Sequence, residues 1–395
     1  MSSEPGAPIQ AGTIPLHVPE LSGNERRYVL ECLDSGWISS VGPFVDRFER
    51  AMANQIGRRH AVAVVSGTAA LHLALIGAGV KPDDEVIVSA LSFVAPANAI
   101  RYVGAWPVFI DAEPTYWQMD PQKLEQFLTQ SCTISQGSLR NRTTGRRIAA
   151  IVPVHVLGHP CDLDAICALA ARYEIPIVED VAEALGATYR GRPVGSHGLA
   201  ACYSFNGNKL FSTGGGGMVV TDDDALASRV RYLSTQAKDD PIEYRHEEIG
   251  FNYRLPSLQA AIGCAQLERV DAFVQRKRET AKRYSELLRD VPGIELMREA
   301  PWAQSTFWLY TVLVDQERYG MSSRDLCRHL GAQGMQSRPL WMPLPSLTPY
   351  RSAPRSSIEI ADRLHASALS IPSSVGLGDA DIQRVSRVIR EEVRS

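Results

Sequence analysis

Seven short apolar runs recur through the first 223 residues, and each gives way to small or polar residues: AVAVVSGT (61–68), EVIVSALSF (85–93), PVFIDA (107–112), AAIVPVHV (149–156), IPIVED (175–180), ACYSFNG (201–207) and GGMVVTDD (216–223). Between most of them lie helical patterns such as AALHLALIGAG and CDLDAICALAARY. Near-continuous apolar strands alternating with helices predict an α/β fold, a mostly parallel sheet covered on both faces. In such a fold a ligand sits outside the carboxyl ends of the strands. The polar residues closing the runs are therefore the ones to read for chemistry. Further on, 254–290 reads as one long helix or two in tandem, STFWLYTVLV (305–314) as a strand, and SSRDLCRHLGAQG and DADIQRVSRVIREEV as helices. The expected organisation is a flexible tail over 1–13, a large domain over 14–270 and a smaller α/β domain over 271–395.

Composition narrows the function classes. The chain has 395 residues, 45% hydrophobic and 22% charged, with a net charge of -3. That balance argues against nucleic acid or an anionic membrane surface as the main partner. The longest apolar stretches are too short to span a bilayer. Seven widely spaced cysteines suit reduced thiols in the cytoplasm better than a disulfide frame. The loop SLRNRTTGRRI (138–148) is basic, either a solvated surface loop or an approach for an anionic substrate.

Three strand ends carry the candidate chemistry. Ser66-Gly67-Thr68-Ala69 closes one run and opens a helix, where backbone N–H groups suit a phosphate, although the same residues also make an ordinary helix cap. Asp180 ends IPIVED, and a carboxylate at the edge of a buried strand needs a proton, a cation or several donors. Lys209 lies in YSFNGNKLFSTGGGG, in a chain with only six lysines. Lysine, unlike arginine, forms a Schiff base. The glycines 214–217 let the backbone pass close to a flat ligand. An amine, a phosphate cup and an acid at one sheet edge fit pyridoxal 5'-phosphate, with the acid holding the pyridine nitrogen protonated.

SGTAALHLAL, VEDVAEALGATYRGRPVGSHG, YSFNGNKLFSTGGGGMVVTDD and GFNYRLPSLQAAIGCAQLE resemble the signature segments of the DegT/StrS sugar aminotransferases. The resemblance runs from about residue 14 to the C-terminus. It implies the pyridoxal-phosphate fold-type-I architecture, with a mostly parallel seven-stranded sheet. By the same resemblance Lys209 is the Schiff-base lysine and proton carrier, and Asp180 pairs with the pyridine nitrogen. Gly67, Thr68, Ala69 and Ser204 hold the phosphate, and Phe93 stacks on the ring. Glu183 stands where the family often has glutamine or histidine near the phenolic oxygen, a departure that leaves its contact open. Asn252 matches an asparagine reaching the neighbouring subunit's phosphate, which implies a homodimer with shared sites.

The segments IPLHVPELSGNERRYVLECLDSGWISSVGPFVDRFE and SRPLWMPL are similar to the subgroup acting on UDP-linked 4-keto-6-deoxy-N-acetylhexosamine in legionaminic acid and bacillosamine pathways. Trp37, Ser39, His155 and Arg338 would then line the sugar-nucleotide site, with glutamate as amino donor. A GDP- or dTDP-linked sugar is the alternative. A dehydratase of the same fold replaces the lysine with histidine, and a cofactor-binding regulatory protein has no need of the lysine–aspartate pair. His155 and His159 have the spacing of metal ligands on a helix, but Gly158 and Pro160 break any helix there, so no metal site is expected. The run Asp222-Asp223-Asp224 reads as a turn and helix cap.

Overall fold

The computed structural model describes residues 12–240 and 242–391. Most of the expected tail, 1–11, lies outside the described residues. The seven runs become seven strands: β1 (His60–Val64), β2 (Glu85–Ser89), β3 (Trp106–Ile110), β4 (Ile148–Val152), β5 (Val178–Asp180), β6 (Ala200–Ser204) and β7 (Gly217–Thr221). They lie side by side in the order β3-β2-β4-β5-β6-β7-β1. The join between β4 and β5 is made by the parallel bridges Ile151–Ile177 and Val154–Asp180. All neighbours are parallel except β7, which runs antiparallel to both β6 and β1.

The burial of this layer follows from strand geometry. Successive side chains point to opposite faces. Val62, Val64, Val86 and Val88 join one hydrophobic cluster, while Ala61, Ala63, Ile87, Val108 and Ile110 join another. Helices α3 (Gly67–Gly77), α4 (Ala95–Tyr102) and α6 (Asp224–Ser234) cover the first face. Helices α1 (Glu25–Ser35), α2 (Pro43–Ile56), α5 (Leu163–Arg172) and α7 (Ser257–Leu267) cover the second. The acidic run caps a helix as its composition suggested: Asp223 accepts the Leu226 N–H at 2.8 Å at the start of α6.

The span 254–290 forms two helices, α7 and α8 (Val270–Leu288), separated at Glu268-Arg269. Beyond them a four-stranded antiparallel sheet joins 294–296, 311–314, 368–370 and 338–339. A third cluster, including Tyr284, Leu330, Leu369 and Ile389, packs with it and takes in Ile14 from the amino-terminal strap. The expected strand over 305–314 is regular only over Thr311–Val314. Residues 305–310 leave the sheet because they are tied to the turn after β4: Thr306 and Trp308 donate to the carbonyls of Gly158 and Leu157, both at 3.0 Å. The basic loop is also more ordered than its composition suggested, since Ser138–Asn141 forms a hairpin with Cys132–Ser135. Its Arg147 pairs with Asp84 at 2.5 Å, and its Arg146 lies over the Trp106 ring. Among the described residues no helix is long and apolar enough to cross a membrane.

Candidate active site

The carboxyl ends of β1, β5 and β6 meet at one edge of the large sheet, where the antiparallel β7 begins. Gly217 opens β7 between Val64 and Ser204. A Cβ on Gly217 would lie 2.6 Å from the Gly67 nitrogen, and one on Gly67 would lie 2.7 Å from Ser204 Cβ. Glycine at both places lets the end of β6 and the start of α3 touch. Ser66 caps α3 by accepting the Ala69 N–H at 3.0 Å. The first-turn N–H groups and the positive helix end face this contact, the geometry that suits a phosphate. The Ala69 N–H, expected to reach the phosphate, here donates to the Ser66 cap.

Asp180 closes β5 and is buried. Its Oδ1 accepts the Ala182 N–H at 3.0 Å. Burial pushes this carboxyl up, opposed by that hydrogen bond and by the positive charge of Lys209. Three residues on, Glu183 accepts the Leu157 N–H on Oε2 at 2.8 Å and meets Lys209 Nζ with Oε1 at 3.4 Å. Burial raises its pKa too, with Lys209 acting against the rise. Leu157 holds a left-handed φ of 59°, uncommon for a leucine and costing about 1–2 kcal/mol.

Lys209 follows β6 in a short loop, and its side chain is 13% exposed. Its amine lies 4.1 Å from the centroid of the Trp308 ring. The indole Nε1 donates to the Asn208 carbonyl at 2.8 Å, so Trp308 braces the loop that carries the lysine. The site thus gathers a recessed amine, two buried carboxyls and a helix-start cup.

Residues 19–390 match the DegT/DnrJ/EryC1/StrS aminotransferase family. The chain belongs to this family. It is 42% identical to GDP-perosamine synthase of Caulobacter vibrioides, over 94% of this chain and 96% of that protein. It is 37% identical to GDP-perosamine synthase of Escherichia coli O157:H7, over 96% and 98%. Among solved structures, S. venezuelae DesV superposes with a TM-score of 0.84 at 33% identity, covering 94% of this chain and 95% of that one.

As a DegT-family member the protein is an aminotransferase of the fold-type-I architecture, and its cofactor is pyridoxal phosphate. The residues at the sheet edge fit that cofactor: an amine within reach of a buried carboxyl, and a glycine cradle at Gly67 and Gly217 that any Cβ would fill. Other residues expected at the cofactor or substrate are exposed rather than buried. Phe93 and Trp37 are 52% and 51% exposed, and Ser39, Asn252 and Arg338 are exposed as well.

His155 is a correction. It was expected at the substrate, but it is fully enclosed, with Nδ1 accepting the Cys161 N–H at 3.0 Å and Nε2 facing Glu179 at 3.3 Å. Burial works against ionisation of Glu179. Hydrogen bonds from His155 and from the Gly198 and His197 N–H groups outweigh it and hold the carboxyl near 2. His155 therefore braces the strand pair beneath Asp180 and offers nothing to a substrate. His159 is also buried, with Nε2 accepting the Ala300 N–H at 3.0 Å.

Trp308 and Leu157 escaped sequence reading, and so did Glu179, next to Asp180. The one available signal for Trp308 was a large polar-tipped aromatic in the middle of an apolar run. Leu157-Gly158 gave a turn signal but nothing that named its partners.

Proposed function

We propose that the protein transfers an amino group from glutamate to a GDP-linked 4-keto-6-deoxy sugar. The observation that carries the chemistry is the recessed Lys209 amine, 3.4 Å from Glu183 and over the Trp308 ring, at the same strand ends as Asp180. The GDP carrier is supported by the two relatives named as GDP-perosamine synthases. They weigh against the UDP-linked substrate that the sequence segments suggested. The bound cofactor supplies a Schiff-base aldehyde and an electron sink.

The chain's own residues then divide the work. Lys209 would hold the cofactor through its amine and, when that amine is free, would act as the base that moves the 1,3-proton in each half-reaction. Asp180 would keep the pyridine nitrogen protonated, and its burial would strengthen that interaction. Gly67, Thr68, Ala69 and Ser204 would hold the phosphate at the start of α3, and Glu183, 3.4 Å from the Lys209 amine, would restrain it. Phe93, Trp37, Ser39, Asn252 and Arg338 are exposed in a single chain, as expected of residues that a second copy covers. We accordingly propose a cytoplasmic homodimer with shared sites, in which residues 271–395 form a smaller domain beside 14–270.

The test is to supply glutamate with GDP-, dTDP- and UDP-linked 4-keto sugars and to measure 2-oxoglutarate and the amino sugar formed. The GDP-linked sugar should give the highest kcat/KM. A clear preference for the UDP-linked sugar would reinstate the earlier substrate reading, and absence of any half-reaction with glutamate would favour a regulatory protein.

A further inference from the structure

Trp308, beneath the Lys209 amine, is itself covered by a second indole. The Trp341 ring stacks on the Trp308 ring, with centroids 6.5 Å apart and planes within 12° of parallel. The Lys209 amine lies 4.1 Å from the Trp308 centroid, so Trp341 stands one stacking separation beyond the ring that the amine touches. Trp308 is only 3% exposed, whereas Trp341 is partly exposed. Of the two indoles, Trp341 is therefore the one that an arriving molecule can touch.

The segment carrying Trp341 is fixed on both sides. Before it, Arg338 and Pro339 pair with Ser370 and Leu369 in the small sheet, and the Leu340 carbonyl accepts from His365 Nδ1 at 3.0 Å. After it, the Leu344 N–H donates to the Ala90 carbonyl at 2.9 Å, and both Leu340 and Leu344 are buried. Ala90 follows β2, so this bond holds the segment against the carboxyl end of a strand in the large sheet, the edge at which Asp180 and Lys209 also lie. A ring pinned at both flanks loses little freedom when a ligand covers it.

We propose that Trp341 is a substrate-binding residue whose open ring surface receives the apolar side of the acceptor sugar, including the methyl group that replaces the 6-hydroxyl. The inference rests on the amino-transfer reading above and names the part of the substrate that the ring selects. Distance favours the sugar: its keto carbon must come beside the Lys209 amine, within reach of Trp341, while the base lies further off by a diphosphate and a ribose. Chemistry argues against the amino donor, because glutamate offers two carboxylates, which the negative face of an indole repels. A 6-deoxy sugar presents a methyl group and ring C–H bonds, and covering these with an indole removes apolar surface from water on both partners.

The test compares the pyridoxal-phosphate-loaded enzyme with Trp341→Ala and Trp341→Phe, each checked by thermal unfolding. With the GDP-linked 4-keto-6-deoxy sugar, kcat/KM should fall by about ten- to a hundredfold in Trp341→Ala and by less in Trp341→Phe, which keeps a ring. The loss should fall on the sugar half-reaction, and the rate at which glutamate changes the cofactor's absorption should drop far less. GDP alone, titrated by calorimetry, should bind all three proteins equally. Unchanged kcat/KM in both variants would overturn the proposal. So would an equal loss in the two half-reactions, the mark of a ring that only supports Trp308, or a fall in GDP affinity matching the fall in kcat/KM, the mark of a contact with the base. If Trp341→Ala does not fold, Trp341→Phe carries the same comparisons. Failure of the underlying reading shows separately, since the unsubstituted enzyme would then leave the sugar unaminated.

Discussion

Lys209 and Lys277 both end at Trp308, one over its ring and the other on its carbonyl, yet their surroundings differ in kind. Lys209 sits in a loop, keeps slight exposure and has a carboxylate partner at 3.4 Å that an arriving ligand can displace. Lys277 sits mid-helix in α8, fully enclosed, bound to backbone carbonyls. Burial pulls its pKa down to about 7. The difference teaches that burial and an altered pKa do not by themselves mark a reactive amine. What Lys209 has and Lys277 lacks is a path to a ligand and an exchangeable partner.

The largest test of this contrast is covalent. With Lys209→Ala, turnover should vanish, and borohydride reduction should no longer fix the cofactor to the chain, whereas Lys277→Met should still be labelled. Labelling that survives in Lys209→Ala would falsify the assignment. Next in size is Asp180→Asn, which keeps the shape but removes the charge; kcat should fall by on the order of a hundredfold or more, read from single-turnover rates. An unchanged rate would mean that the buried acid serves only the fold.

A smaller effect is expected at the shared indole. Trp308→Phe keeps a ring beneath the amine but leaves the Asn208 carbonyl without its donor, so stability should drop by about 1 kcal/mol in denaturant unfolding. The rate of cofactor attachment to Lys209 should fall with it as the loop loosens. The subtlest test is the pH dependence from Lys277. Its folded pKa of about 7 lies below the ordinary 10.5. Between those values the unfolded chain binds more protons than the folded one, so stability should rise with pH across that window. Lys277→Met should lose this part of the slope, measured as the difference in unfolding free energy between about pH 7 and about pH 9.

The seven strands and the residues at their ends were legible because each depends on a local pattern, an apolar run and the polar residues that stop it. Asp180, Glu183, Lys209 and Ser204 all belong to such endings. Trp308 was not legible for the opposite reason: its run was apolar enough to read as strand, and only its bonds to Leu157 and Asn208, distant in sequence, pull it out of the sheet. His155 misled because a histidine near a strand end looks like a ligand contact until the enclosing Glu179 and Cys161 are in place.

The reversed direction of β7 also bears on how the chain assembles. His60 in β1 pairs with Thr221, so the wedge between β1 and β6 arrives from far along the polypeptide. Pairings between such distant segments are slow to form, and until this one closes β1 presents an open edge that invites aggregation. During synthesis the close contact of Gly217 with Ser66 and Gly67 cannot form before Gly217 has emerged, so fragments ending before it should lack this part of the sheet edge.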